Sequence, residues 1–109
     1  MIVGNLNVAD SFWSRLKGLM RKRDMPEDEG LLIVPCNSVH SMFMRFPIDL
    51  LFLDRELKVI KIVEMFRPWK TTPIIRGSYQ VVELRAGVVS KKGVSIKDEL
   101  EIVNYNSKV

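Results

Sequence analysis

A chain of 109 residues, 47% hydrophobic and 28% charged, can bury about two-thirds of its unfolded surface in one core and is too short for a second. That composition excludes a disordered polar segment, and one cysteine excludes an intrachain disulfide framework or a cysteine zinc cluster. The net charge of +4 is spread as a basic patch beside an acidic one: Arg15, Lys17, Arg21, Lys22 and Arg23 are followed by Asp24, Glu27, Asp28 and Glu29.

The opening residues lack the basic and apolar regions of a signal peptide, and no apolar run approaches the roughly 20 residues that span a bilayer. A lone thiol fits a reducing compartment. The expectation is a cytoplasmic protein without a membrane span.

In "NVADSFWSRLKGLM", Phe12, Trp13, Leu16, Leu19 and Met20 recur at helical spacing, with Asp10 or Ser11 as N-cap and Gly18 near the end. A charged, Pro-containing loop then runs to Gly30. "LLIV" (31–34) reads as a short buried strand stopped by Pro35, and "SVHSMFMRF" (38–46) as a second strand stopped by Pro47. "DLLFLD" (49–54) and "KVIKIVEM" (58–65) flank the turn "DREL" and read as a hairpin.

The segment 67–78, with two prolines and a glycine, reads as a long loop. "YQVVELR" (79–85) alternates like a half-buried strand. Ala86-Gly87 turns, Val88–Lys92 makes one helical turn ending at Gly93, and "LEIV" is a final strand. Little helix and closely spaced strands predict one mainly β domain over 1–109, a β-sandwich or barrel of about six to eight short strands with one or two short helices.

Chemistry concentrates in "VHSMFMRFPIDLLFLD", where the only histidine, His40, lies near Arg45, Asp49 and Asp54 among apolar residues. On a strand, His40, Met42, Met44 and Phe46 would share one face. Imidazole and thioethers suit Cu(I), with Cys36 just upstream. Two methionines and a histidine are not a closed ligand set, however, and Met is a common core filler. No cofactor is expected.

A second reading is an enzyme of hydrolase or transferase type, using His40 oriented by Asp49, or a Cys36–His40 pair. A free cysteine is more often an inert buried hydrophobe. The leading reading is non-enzymatic. His40, Arg45, Asp49, Arg76 and Arg85 would line a concavity for a small polar or anionic ligand, or for a peptide or protein partner, with Trp69 and Tyr79 as stacking surfaces. The structural alternative is an ion pair of Arg45 with Asp49 or Asp54 that pins strands together.

Nucleic acid is a less favoured partner. The charge and small β architecture fit it, but no RNP, KH or zinc-knuckle pattern is present. Phosphate-loop, G-x-S-x-G, H-E-x-x-H and C-x-x-C motifs are also missing. A monomer or weak homodimer is expected, the latter if the "LLFLD" edge is exposed.

Taken in order, "GLMRKRDMPEDEGLLIV", "PCNSVHSMFMRFPIDLLFLD", "RPW" and "VVELRAG" resemble the family called domain of unknown function 192, from about Arg15 to Val103. The resemblance implies a compact, mostly β, sandwich- or barrel-like domain with one or two short helices, and no particular activity. Some relatives carry secretion signals. The matching polar positions are His40, Arg45, Asp49, Asp54 and Glu83, with Gly18 and Gly87 at turns. Two departures stand out. Lys97-Asp98 replaces the family's usual G-D before the last strand, which implies a different turn. Arg85 stands where proline is favoured, so a role for it would be local to this protein.

Overall fold

The computed structural model describes residues 2–9, 29–42 and 44–106, and these are mainly β. In chain order they form β1 (Ile2–Ala9), β2 (Glu29–Ile33), β3 (Ile48–Leu53), β4 (Val59–Phe66), β5 (Gln80–Arg85), a short helix α1 (Val88–Lys92) and β6 (Glu101–Asn106). The helix expected within 11–20 and the charged loop as far as Asp28 lie outside the described residues.

The six strands make one mixed sheet in the order β4-β3-β5-β2-β1-β6. β3 pairs antiparallel with β4 and β5, and β5 with β2, whereas β1 runs parallel to both β2 and β6. The segment leading into β6 meets the start of β4 at one end. The Val59 amide donates to the Asp98 carbonyl (2.8 Å), Lys97 to Val59 (2.7 Å) and Leu100 to Leu57 (3.0 Å). The result is a rolled sheet, barrel-like at that end, rather than two stacked sheets.

Every residue of β3 is buried, because both sheet faces are covered. On one face Leu51 and Leu53 pack with Val82, Leu84 and the α1 residues Val88 and Val89. On the other, Ile48, Leu50 and Phe52 pack with Val39, Met44 and Phe66. Each of these leucines and phenylalanines contributes about 1.5–3 kcal/mol by leaving water. The "LLFLD" run is therefore interior and is no edge for pairing two copies. The same double cover corrects β5: its first five residues are buried and only Arg85 is exposed.

Two further expectations change. The sequence predicts no strand over Ile2–Ala9, where Gly4, Asn5 and Asn7 are poor strand formers; β1 forms because it has a parallel neighbour on each side. The strand expected over 38–46 does not form. Its backbone bonds instead to the 67–72 loop, leaving one isolated bridge, His40 with Thr71, and then turns as the Met44 amide donates to the Ser41 carbonyl (3.2 Å).

The β3–β4 hairpin is as expected, with Asp54 Oδ1 accepting the Glu56 and Lys58 amides (both 2.9 Å). Gly30 is required by packing: a Cβ there would stand 2.9 Å from Leu84 Cδ2 and 3.0 Å from Leu6 Cδ2. The helix α1 lies where anticipated, between Gly87 and Gly93, both left-handed.

Lys97 has φ 79°, a conformation that glycine adopts without strain and lysine does not. The departure from G-D therefore leaves a turn that still demands left-handed backbone, and the lysine bears the strain. Lys97→Gly is expected to raise stability by about 1 kcal/mol, read as a higher urea midpoint with unchanged slope. No gain would mean that the lysine side chain offsets the strain.

Candidate functional site

The register collects cations at one end of the sheet. Ile48, which opens β3, lies opposite Phe66 at the end of β4 and Arg85 at the end of β5. Arg67 follows Phe66 directly, and Phe46 and Pro47 lead back from Ile48 to Arg45. Arg45, Arg67 and Arg85 are thereby placed at one lip, each exposed.

Ser41 ties His40 and Trp69 to this lip. It is fully buried, and its hydroxyl donates to the Arg67 carbonyl (2.5 Å), lies 3.3 Å from the Lys70 carbonyl and accepts the Lys70 amide (2.8 Å). Its own amide donates to the Lys70 carbonyl (2.8 Å), and its carbonyl accepts the Trp69 amide (3.0 Å). Beside it, Thr72 Oγ1 accepts the Val39 amide (3.0 Å), and the Thr72 amide returns a bond to the Val39 carbonyl (2.8 Å). Short polar side chains thus satisfy the backbone of two loops that have no strand partner.

The clamp leaves specific groups in solvent. Trp69 is 59% exposed and Met42 40%, while His40 and Lys70 are also exposed. Trp69 sits at φ 62°, an uncommon conformation for a large residue and costly by about 1 kcal/mol. Residues 65–82 contain no Asp or Glu, so within this stretch Arg67, Lys70 and Arg76 have no acid between them, Glu64 being the nearest before it.

Asp49 takes a different role. It is fully buried. Oδ1 accepts the Met65 amide (2.9 Å), and Oδ2 accepts those of Gly87 and Val89 (both 3.0 Å). Met65 has φ 54° and lies in a bulge of β4, where the β3–β4 register shifts between Ile48 and Leu50. One carboxylate therefore fastens the bulge and the start of α1 to the middle of the sheet. It orients backbone amides and not the imidazole of His40, so the acid–base pairing proposed for these two residues is not formed.

Other expected members of the site are dispersed. Met44 is buried in the core while Met42 and His40 face solvent, so the three do not share a face as a Cu(I) set would require. Among the described residues no three His, Cys, Asp or Glu side chains cluster as metal ligands. The Cys36 thiol donates to the Ser38 carbonyl (3.1 Å).

Tyr79 precedes β5 at the opposite end of the sheet, where the Arg55 guanidinium stacks over its ring at 4.1 Å. Asp54 caps the β3–β4 turn at that end too, away from Arg45. Glu83 is buried one step in from Arg85, opposite Leu50 and Leu31. Sequence reasoning did not single out Ser41, Thr72, Arg67 or Lys70; the acid-free stretch 65–82 is the signal that would have found the two cations.

With the geometry established, similarity adds identity. Residues 3–102 match the model of the DUF192 family, described as an uncharacterized ACR. The chain belongs to this family. This DUF192 chain is 31% identical over 98 residues to a UPF0127 protein of Pyrococcus furiosus, covering 85% of this chain and 82% of that one. It is 29% identical over 103 residues to a UPF0127 protein of Thermococcus sibiricus, covering 90% of this chain and 66% of the relative, so it spans about two-thirds of that protein's length. A solved structure from Sinorhizobium meliloti, of a protein provisionally described as a transcription regulator, superposes with a TM-score of 0.74 at 30% identity, over 86% of this chain and 78% of that one. No helix among the described residues is long and apolar enough to cross a membrane.

Proposed function

We propose that this DUF192 domain is a non-enzymatic binding module whose lip, made by His40, Arg45, Arg67, Trp69, Lys70 and Arg85, takes an anionic ligand, either a small polar anion or an acidic peptide segment. The observation that carries this reading is the Ser41 clamp. It holds an exposed tryptophan in a strained conformation among cations, and such strain is typical of ligand-contacting loops. Guanidinium groups suit carboxylate or phosphate, Trp69 and Met42 supply apolar area, and His40 adds a polar edge. Asp49 supports the lip from inside the sheet and is not a contact residue in this reading.

Native mass spectrometry of gently purified protein, set against its denatured mass, tests for a retained anion. Titration with inorganic phosphate and with a Glu-rich, Leu-containing peptide then measures affinity. Arg45→Ala is expected to weaken binding about tenfold, the effect of one charged hydrogen bond, with the fold intact by circular dichroism. Unchanged affinity for both probes in folded Arg45→Ala would sink the reading.

The description of the Sinorhizobium meliloti relative favours a second reading, nucleic-acid binding by the same cations. It predicts affinity for a single-stranded oligonucleotide that falls steeply with salt. A flat salt response excludes it.

A further inference from the structure

The outer edge of β6 is the second surface with a defined complement. The hydrogen bonds that close the sheet stop at Leu100 with Leu57, and the one bridge between these segments is Lys58 with Glu99. The pairing is antiparallel, so from Glu101 onward β6 runs past the β3–β4 turn and away from β4. Among the described residues β6 pairs only with β1 and no strand lies along its far edge.

The two outer strands differ in how they treat such an edge. β4 is broken by two register shifts, carries the left-handed Met65 and exposes Lys61 and Glu64; bulges and charges are the usual protection against edge pairing. From Ile102 to Asn106, β6 has no charge, no proline and no glycine. It exposes Val103 (64%) and Tyr105 (56%), which alternation places on one face.

We infer that β6 is a homodimer edge: two copies pair β6 with β6 antiparallel about a two-fold axis at Asn104, making one continuous sheet. A two-fold axis perpendicular to the sheet must pass through a residue facing its own copy. Centring it on Asn104 sets Val103 opposite Tyr105 of the second copy, and the reverse, giving two β-branched–aromatic cross-strand pairs. Centring it on Val103 would put Glu101 against Tyr105 and leave the valines facing each other. Centring it on Glu101 would oppose two glutamates. Of these three registers, the one centred on Asn104 pairs the exposed apolar side chains with each other and opposes no like charges.

Sedimentation equilibrium up to about 1 mM tests the association, and cysteine cross-linking tests the register. The expected result is a reversible dimer, lost in Val103→Lys with Tyr105→Lys while the circular dichroism spectrum and urea midpoint of the monomer are kept. Asn104→Cys should give an intermolecular disulfide in high yield and Lys61→Cys, on the β4 edge, only background. A wild-type monomer at the highest concentration overturns the inference. So does a dimer that the double lysine variant preserves in a folded chain. Cross-linking through Val103→Cys but not Asn104→Cys overturns the register.

Discussion

Asp49→Ala is expected to lower stability by about 3–5 kcal/mol, because three backbone amides lose their acceptor at once. The variant strands the Met65, Gly87 and Val89 amides, which have their bonds to this carboxylate; an orphaned buried donor such as Val89 costs about 1–3 kcal/mol, and the two part-buried ones cost toward the low end of that range. For a domain of this size the melting temperature falls by more than about 12 °C. Asp49→Asn keeps one oxygen, enough for the Gly87 and Val89 amides, but turns an NH2 toward the Met65 amide; a loss of roughly half is expected. Urea unfolding with both variants checks this, and a loss below about 1 kcal/mol in Asp49→Ala would mean that water takes over the three amides. Folded Asp49→Asn should bind the lip's probes as wild type does, since the carboxylate supports the site without touching it.

Ser41→Ala should cost about 2–4 kcal/mol and weaken binding at the lip as well. The methyl group leaves the Lys70 amide without the hydroxyl that accepts it and the Arg67 carbonyl without its donor. The predicted signature is a split between two probes. Urea stability falls by that amount, whereas amide exchange rises locally over 67–72, faster than the global loss explains. Uniform acceleration across β3 and β5 would show instead that Ser41 supports the whole fold and not this loop in particular.

The legible part of the sequence was the part governed by local chemistry. The short polar turn "DREL" between two apolar runs marked the β3–β4 hairpin, Gly87 and Gly93 marked α1, and the apolar run of "DLLFLD" marked a buried strand. What remained hidden depends on partners distant in the chain. β1 reads as a poor strand because its asparagines and glycine are judged without β2 and β6 beside them. "SVHSMFMRF" has strand composition, yet its backbone groups find Ser41, Thr72 and the 67–72 loop before any strand. At the candidate site, His40 and Arg45 stood out as polar residues among apolar neighbours, Trp69 as a stacking surface in a polar loop, and Arg85 as a departure from the family pattern. Asp49 looked alike in sequence, and only its three backbone donors distinguish an internal fastener from a ligand contact. Ser41 gave no signal, since a buried serine and a loop serine read the same.

The parallel pairing of β1 with β6 also has a consequence for synthesis. β1 waits for the last of the described strands before its outer side is covered, and parallel neighbours cannot be supplied by a tight turn. Assembly of this half of the sheet therefore waits until Glu101–Asn106 has been made, and pairing between segments so distant in the chain is intrinsically slow. Until it happens the nascent chain presents an unfinished strand edge of the kind that holdase chaperones occupy.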